Sequence, residues 1–419
     1  MKVELINTGS ELLLGQVLNT HQQWLGRRLA DLGYIISHQV AVPDTAAEIE
    51  LAVKAALTRA DLIITTGGLG PTSDDLTREL IARLLGRKLY EDVAILQHLQ
   101  SFFAQRQRPL PASTRVQALV PEGATVLPNP HGTAPGLALK LAPLPQHPAR
   151  WLIMLPGPPR ELHPMFDLSV VPLLQRELPS AAGFICHTLR TVGLGESQVA
   201  ERIDARLQTA IAQGLELGYC AHIGAVDVRF IARGATANEL VRAAEAIVHE
   251  ELRGHIFTEA DESLEAVIVR LLTERRQTLA LAESCTGGGL ANRITNVPGA
   301  SAVLLASLVT YANIAKQKFL GVRDASLQTY GAVSEVVARE MAEGARRETG
   351  ADYALSVTGI AGPGGGSTAK PVGTVFIGFA SASENFARPQ SNPFDRETFK
   401  QVTGTQALEI LRRKLLALE

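Results

Sequence analysis

Cysteine is scarce in this chain. Cys186, Cys220 and Cys285 are its only three, too far apart for a disulfide framework or a Cys-ligated metal site. That scarcity fits a reducing, cytoplasmic setting. An excess of either charge is also missing. Forty Lys and Arg stand against 42 Asp and Glu, a formal net charge of −2, with no basic stretch. This argues against direct nucleic-acid binding. No run of about 18 apolar residues occurs, so no membrane span is expected. The opening MKVELINTGSELLLG is interrupted by Glu4, Asn7, Ser10 and Glu11 and does not read as a signal peptide. What is present is an ordinary globular composition, 46% hydrophobic and 20% charged over 419 residues, enough for two or three domains.

Residues 1–170 alternate strand-like and helix-like segments. KVELIN, YIISHQVAV and DLIITTGG read as strands. THQQWLGRRLADLG reads as a helix with Trp24, Leu25, Leu29 and Leu32 on one face and Gly33 as its stop. Thr45 and Glu48 make a T-x-x-E capping box for the next helix. WLIMLPGPPRELHPMF is strand, turn and helix. The pattern predicts a three-layer α/β domain around a mostly parallel sheet. LAPLPQHPAR reads as a Pro-rich surface loop. Residues 180–258 make a small α+β unit without obvious chemistry, a spacer or dimerisation module. Residues 262–419 return to alternation. Leu264, Val267, Ile268, Leu271 and Leu272 mark an amphipathic helix ahead of the strand TLALAES. No internal repeat relates the two α/β halves.

Two glycine-rich turns follow strands. In TTGGLGPTSDDLT, Gly67, Gly68 and Gly70 allow close approach of an anion, and a helix opens behind them. It is not a Walker A loop, since no Lys follows in the required place. Asp74 and Asp75 would repel a phosphate unless a hard cation such as Mg²⁺ bridges them; the plainer alternative is that one of them caps the helix. Glu11 and Glu161 also follow strands and are expected to converge with them on the ligand crevice. The second turn, VTGIAGPGGGS, either cradles phosphate or is a surface loop.

AESCTGGG sets three nucleophile types side by side: Ser284, Cys285 and Thr286. Ser284 closes a strand where backbone N–H groups of a following helix are expected to be free, an oxyanion or phosphate site. A serine needs a base. The nearest histidine, His255, belongs to the middle unit, so a Ser-His-Asp arrangement is poorly supported. LVTYANIAK offers Tyr311 and Lys316 instead. A lysine base must be neutral, which burial favours. Lys318 is read as solvated. Cys285 is intrinsically more nucleophilic but needs an activating partner. A binding or capping role for the whole turn stays open.

The motif set resembles the CinA (competence/damage-inducible) family over nearly the whole length. AESCTGG, VTYANIAK, LGV, GAVSE, SVTGIAGPGGG and KPVGTV are similar to its C-terminal nicotinamide-nucleotide amidohydrolase domain. TGSELLLGQVLNT, TTGGLGPTSDDLT, NPHGTAPG and LPGPPREL are similar to its molybdopterin-binding-like N-terminal domain. The resemblance implies hydrolysis of nicotinamide mononucleotide (NMN) to nicotinic acid mononucleotide and ammonia. Ser284 would be the nucleophile, with Lys316 taking its proton directly or through Tyr311. The N–H groups of Cys285, Thr286 and Gly287 would hold the oxyanion, and Thr286, Ser334 and the 359–366 loop, including Gly359 and Gly362, would contact the ribose phosphate. No cofactor is implied for this step. For the N-terminal domain the resemblance implies metal-dependent cleavage of ADP-ribose, with Glu11, Asp74, Asp75 and Glu161 near the Gly-rich turn. The partners are then small nucleotides, in NAD recycling, and a homodimer is the expected assembly. Two positions depart from the family pattern: Asn7, where a small residue is commoner, and Phe394 before Asp395 and Arg396, where Gly-Asp-Arg is usual. The competing readings are a molybdopterin-handling protein and a non-catalytic module tied to DNA uptake or repair.

Overall fold

The computed structural model describes residues 1–145, 149–179 and 183–418. Residues 146–148 of the expected Pro-rich loop therefore lie outside the described residues. The chain divides into two compact units, Met1–Cys186 and His187–Glu419.

The first unit runs β1 (Val3–Thr8), α1 (Ser10–Leu13), α2 (Thr20–Asp31), β2 (Ile36–Val42), α3 (Ala46–Leu57), β3 (Leu62–Thr66), α4 (Thr77–Leu84), β4 (Leu89–Glu91), α5 (Val93–Ala104), β5 (Leu119–Pro121), β6 (Ala124–Leu127), β7 (Gly136–Lys140), β8 (Trp151–Leu155), α6 (Pro159–Met165) and α7 (Val171–Glu177). Its main sheet has the order β2-β1-β3-β8-β7-β6. Both faces are buried, which is why β3 and β8 read as continuous apolar runs. Leu62 and Ile64 enter one core and Ile63 the other. Trp151, Ile153 and Leu155 alternate in the same way with Leu152 and Met154. The sheet is parallel from β2 through β8 but antiparallel at β8–β7 and β7–β6. Those last strands are joined by loops without crossover helices, and a parallel pair needs a crossover. The expected Thr45–Glu48 capping box is not formed: Thr45 precedes α3 in extended backbone, but its side chain makes no capping hydrogen bond.

β9 (Ile185–Val192) leads into the second unit, where α8 (Glu196–Ala212), β10 (Glu216–His222), β11 (Ala225–Ala232), α9 (Ala237–Glu251) and β12 (Ile256–Thr258) complete a small domain around the sheet β10-β11-β9-β12. Then come α10 (Leu264–Arg275), β13 (Leu279–Glu283), α11 (Gly289–Thr295), β14 (Leu304–Val309), α12 (Asn313–Leu320), α13 (Asp324–Tyr330), α14 (Glu335–Thr349), β15 (Tyr353–Gly359), β16 (Thr374–Ala380), β17 (Asn385–Ser391) and α15 (Arg396–Leu415). The five-stranded sheet β14-β13-β15-β16-β17 is parallel through β15 and antiparallel beyond it. In β13, Leu279 and Leu281 join one core, while Ala280 and Ala282 join the other. The alanine face is thin because α14 lies close. A Cβ on Gly378 would sit 2.4 Å from Ala338 O, and Ser356 Oγ donates to the same carbonyl at 2.6 Å.

Candidate active site

The apolar alternation of β13 ends on a charge. Glu283 is 0% exposed, yet no cation pairs with it among the described residues. Its Oε2 accepts from Thr286 Oγ1 (2.8 Å), Gly288 N (2.9 Å) and Leu290 N (3.0 Å). Its Oε1 accepts from Ala291 N (2.8 Å) and Ser307 Oγ (3.2 Å). One carboxylate thus ties the strand end, the following turn and the start of α11 together. Gly287 and Gly288, at φ of +63° and +93°, reverse the chain in backbone that other residues resist.

This corrects the expected strand-to-helix junction. α11 opens at Gly289 and its first amides belong to Glu283, so the helix start is not free for an oxyanion. Gly287 N is engaged too, donating to Ser284 O at 3.2 Å. Of the three expected oxyanion donors, the N–H groups of Cys285 and Thr286 are the two without a backbone acceptor among the described residues.

Lys316, on α12, is 1% exposed. Its Nζ lies 3.0 Å from Ser284 Oγ, 2.8 Å from Thr310 O and 3.1 Å from Tyr311 O. Burial pushes its pKa below the ordinary lysine value; the nearby Cys285 acts weakly in the other direction. Carbonyls only accept. A neutral Nζ therefore gives its two N–H bonds to Thr310 O and Tyr311 O, and its lone pair is left facing the Ser284 hydroxyl. That is the geometry of a nucleophile and its base. Cys285 is a poor rival: it is buried, and desolvation pushes its thiol up to about 12.

Tyr311 is brought to the same cluster by its carbonyl rather than its ring. The ring is 62% exposed, and its hydroxyl accepts from Arg396 Nη2 at 3.1 Å. Arg396 Nη1 also donates to Gly362 O at 2.9 Å, so one guanidinium joins the Tyr311 segment to the 359–366 loop. This residue was not expected in the site, although its Asp-Arg pair was visible as the signal. The Phe394 departure leaves the turn intact: Asp395 caps α15 by accepting from Glu397 N and Thr398 N, both at 3.0 Å. Three expected ligand contacts have structural duties of their own. The Thr286 hydroxyl is spent on Glu283. Ser334 caps α14, its Oγ donating to Gly331 O at 2.9 Å and accepting from Val337 N at 3.4 Å. At Gly359 a Cβ would lie 2.9 Å from Thr374 O, so strand packing alone explains that glycine.

In the first unit the Gly-rich turn leaves β3 and enters α4. A Cβ on Gly67 would lie 2.6 Å from Thr8 O, and one on Gly68 2.0 Å from Thr77 Oγ1. With φ of +67°, Gly68→Ala is expected to destabilise this unit by about 1–3 kcal/mol, read as a lower urea midpoint; an unchanged midpoint would remove the steric account of this cradle. Asn7 is buried beneath, linking Thr66 Oγ1 (2.7 Å) and Asn19 Nδ2 (3.0 Å). The expected convergence of four carboxylates does not occur. Among the described residues no three His, Cys, Asp or Glu side chains gather into a set that could hold a metal. Asp75 folds over Gly70 and accepts from Thr72 N at 2.9 Å. Asp74 is exposed. Glu11 is exposed and folds back over Gly9. Glu161 is buried, held by Asn129 Nδ2 at 2.7 Å. This donor set does not fit a resident divalent ion. The unexpected charge here is positive: Arg78 is 1% exposed, bonds Leu69 O only weakly at 3.5 Å, and has its pKa lowered by desolvation.

Comparison with known proteins follows these boundaries. A family model described as the CinA C-terminal domain matches residues 261–415. One described as "Probable molybdopterin binding domain" matches residues 4–176. A third, the damage-inducible protein CinA KH domain, matches residues 186–258 and gives the middle unit a fold type that its sequence pattern left open. A CinA-like protein of Akkermansia muciniphila is 43% identical over 414 residues, covering 97% of this chain and 96% of its own. A CinA-like protein of Desulfovibrio desulfuricans is 42% identical, covering 100% and 97%. Among solved structures, the competence/damage inducible protein CihA from Agrobacterium tumefaciens is 37% identical over 38% of this chain and 99% of its own, with a TM-score of 0.34.

Proposed function

We propose, on the premise that the chain belongs to the CinA family, that its C-terminal domain hydrolyses the carboxamide of a nicotinamide nucleotide, NMN in the first instance. The observation that carries this reading is the buried Lys316 amine at 3.0 Å from Ser284 Oγ, its other two contacts being carbonyls. Ser284 Oγ attacks the carboxamide carbon as Lys316 takes its proton. The oxyanion is held by the N–H groups of Cys285 and Thr286. Lys316 returns the proton to the departing nitrogen, and ammonia leaves. Water, deprotonated by the same amine, releases the acyl group as the acid and restores Ser284. The Arg396 guanidinium, which joins the Tyr311 hydroxyl to the 359–366 loop, supports a role for both in holding the rest of the nucleotide.

The test is ammonia release from NMN by the full chain, with and without EDTA. Release is expected to survive EDTA and to fall by about 10⁴-fold or more in Ser284→Ala. Retained deamidation in that variant would sink the serine assignment, and no release from the wild type would sink the substrate.

A second reading concerns the N-terminal domain, and the crowded glycines beside the buried Arg78 favour it. A glycine-rich turn with a buried cation bonded to its Leu69 carbonyl supports binding of a phosphate-bearing ligand, ADP-ribose being the one the family resemblance implies. Calorimetric titration with ADP-ribose, followed by assay of its pyrophosphate cleavage with and without added Mg²⁺, tests it. Tight molybdopterin binding without ADP-ribose turnover would transfer the domain to the molybdopterin-handling class.

A further inference from the structure

The first turn of α15 carries two cations on one face. Arg396 and Lys400 stand four residues apart, which on a helix makes them neighbours. The helix is held in rotation by the residues between and after them. Phe399 is 0% exposed in the core, and the buried Thr403 Oγ1 accepts from Asn392 Nδ2 at 3.1 Å. Arg396 is partly engaged, by the Tyr311 hydroxyl and Gly362 O. Lys400 is not. It is half-buried, and it enters no hydrogen bond and no ion pair among the described residues. Its ammonium lies against the Ser284 turn. A Cβ on Gly287 would sit 3.9 Å from Lys400 Nζ, the only atom beyond its chain neighbours that it would meet within 4 Å. Gly287 is itself bonded to the nucleophile's residue, its N–H donating to Ser284 O at 3.2 Å.

The carboxylates on the same stretch of chain have other partners. Asp395 accepts from Glu397 N and Thr398 N, both at 3.0 Å, and Glu397 accepts from Gln401 Nε2 at 3.4 Å. Glu283 is turned toward the start of α11. Asp395 also occupies the opening amides of α15, so the positive charge here belongs to the two side chains and not to the helix end. An ammonium drawn partly out of water without a partner is unfavourable, and a ligand anion would offset that cost. A nicotinamide mononucleotide has one anionic group. Its ring is a pyridinium, and its carboxamide and ribose are neutral. Only the 5′-phosphate is attracted by a lysine beside an arginine, both common phosphate partners.

We propose, resting on the amidase reading, that Lys400 is a specificity-determining residue of the Ser284 site. With Arg396 beside it, its ammonium holds the 5′-phosphate and selects a mononucleotide over the corresponding nucleoside. The competing role for a cation at this turn is to stabilise the oxyanion on the carboxamide carbon. Substrates with and without the phosphate separate the two.

The test compares ammonia release from NMN and from nicotinamide riboside by the full chain. Lys400→Gln is expected to lower kcat/KM for NMN about tenfold or more, chiefly through KM, and to leave the slower riboside reaction unchanged. The unchanged riboside reaction also shows that the variant is folded. Lys400→Arg, which keeps the charge, should retain most of the NMN activity. Equal losses on both substrates would overturn the phosphate role in favour of the oxyanion or the fold, and no loss on NMN would remove Lys400 from the site. Binding is read separately, by calorimetric titration of NMN into Ser284→Ala and into Ser284→Ala/Lys400→Gln. Binding about tenfold weaker in the double variant supports the assignment even where the wild type releases no ammonia, a result that defeats the amidase reading alone. Equal affinities, or no binding to either variant, would overturn the assignment.

Discussion

On the proposed amidase reading, Lys316→Met is expected to lower kcat/KM for NMN by about 10³-fold or more, within the range typical of losing a positioned general base. Methionine fills the space of the buried stem but takes no proton. Lys316→Arg should be no better, because a guanidinium is always charged and has no lone pair to offer. That comparison separates a base from a mere positive charge, which arginine would restore. The double variant Ser284→Ala/Lys316→Met should be hardly worse than Ser284→Ala alone, since the two groups act as one device. The wild-type pH profile follows from the sign of the Lys316 shift. The active form is the neutral amine, and desolvation lowers the pKa. Below that lowered value Lys316 is an ammonium with no lone pair; kcat/KM should therefore rise with pH through it and level off before the ordinary lysine range near 10.4. A flat profile, or Lys316→Met retaining activity within tenfold of wild type, would remove lysine from the mechanism.

The Ser284–Lys316 pair was legible because both residues end apolar segments. TLALAES and LLASLV become the neighbouring parallel strands β13 and β14, with Ala282 paired to Leu308 and Glu283 to Val309. Residues that follow adjacent parallel strands emerge at the same sheet edge. The two-sided core of the first unit was readable from the same kind of apolar run. Other features depended on contacts that spacing does not reveal. Arg396 lies 85 residues from the Tyr311 hydroxyl it meets. The antiparallel strands at one side of each main sheet were missed, because apolar content does not distinguish strand direction. The capping box at Thr45 has the right residues and still forms no side-chain bond. Glu11, Asp74, Asp75 and Glu161 share a chemistry in the sequence, but local partners take them before a common centre can: Thr72 takes Asp75 and Asn129 takes Glu161. A cluster argument built from residue type cannot see that competition.

Glu283→Ala is expected to cost about 4 kcal/mol of stability, because it leaves five donors, two of them buried and three half-buried, without their acceptor. Glu283→Gln should fall between. If its amide nitrogen replaces Oε1, Ser307 Oγ can turn and accept, so only the Ala291 N–H is left facing another donor; replacing Oε2 would oppose two N–H groups. The lower urea midpoint should come with faster hydrogen exchange at Gly288, Leu290 and Ala291, the three amides the carboxylate holds. Activity should fall in the same variant through kcat, since Ser284 and the Cys285 and Thr286 amides sit on the turn that Glu283 fixes. The carboxylate touches no reacting atom. By consuming the amides at the start of α11 it leaves, on the proposed mechanism, the two turn amides nearest Ser284 to hold the oxyanion. Exchange rates unchanged at those three positions, or a loss below about 1 kcal/mol, would mean that the turn holds itself through its glycines and that Glu283 is a bystander.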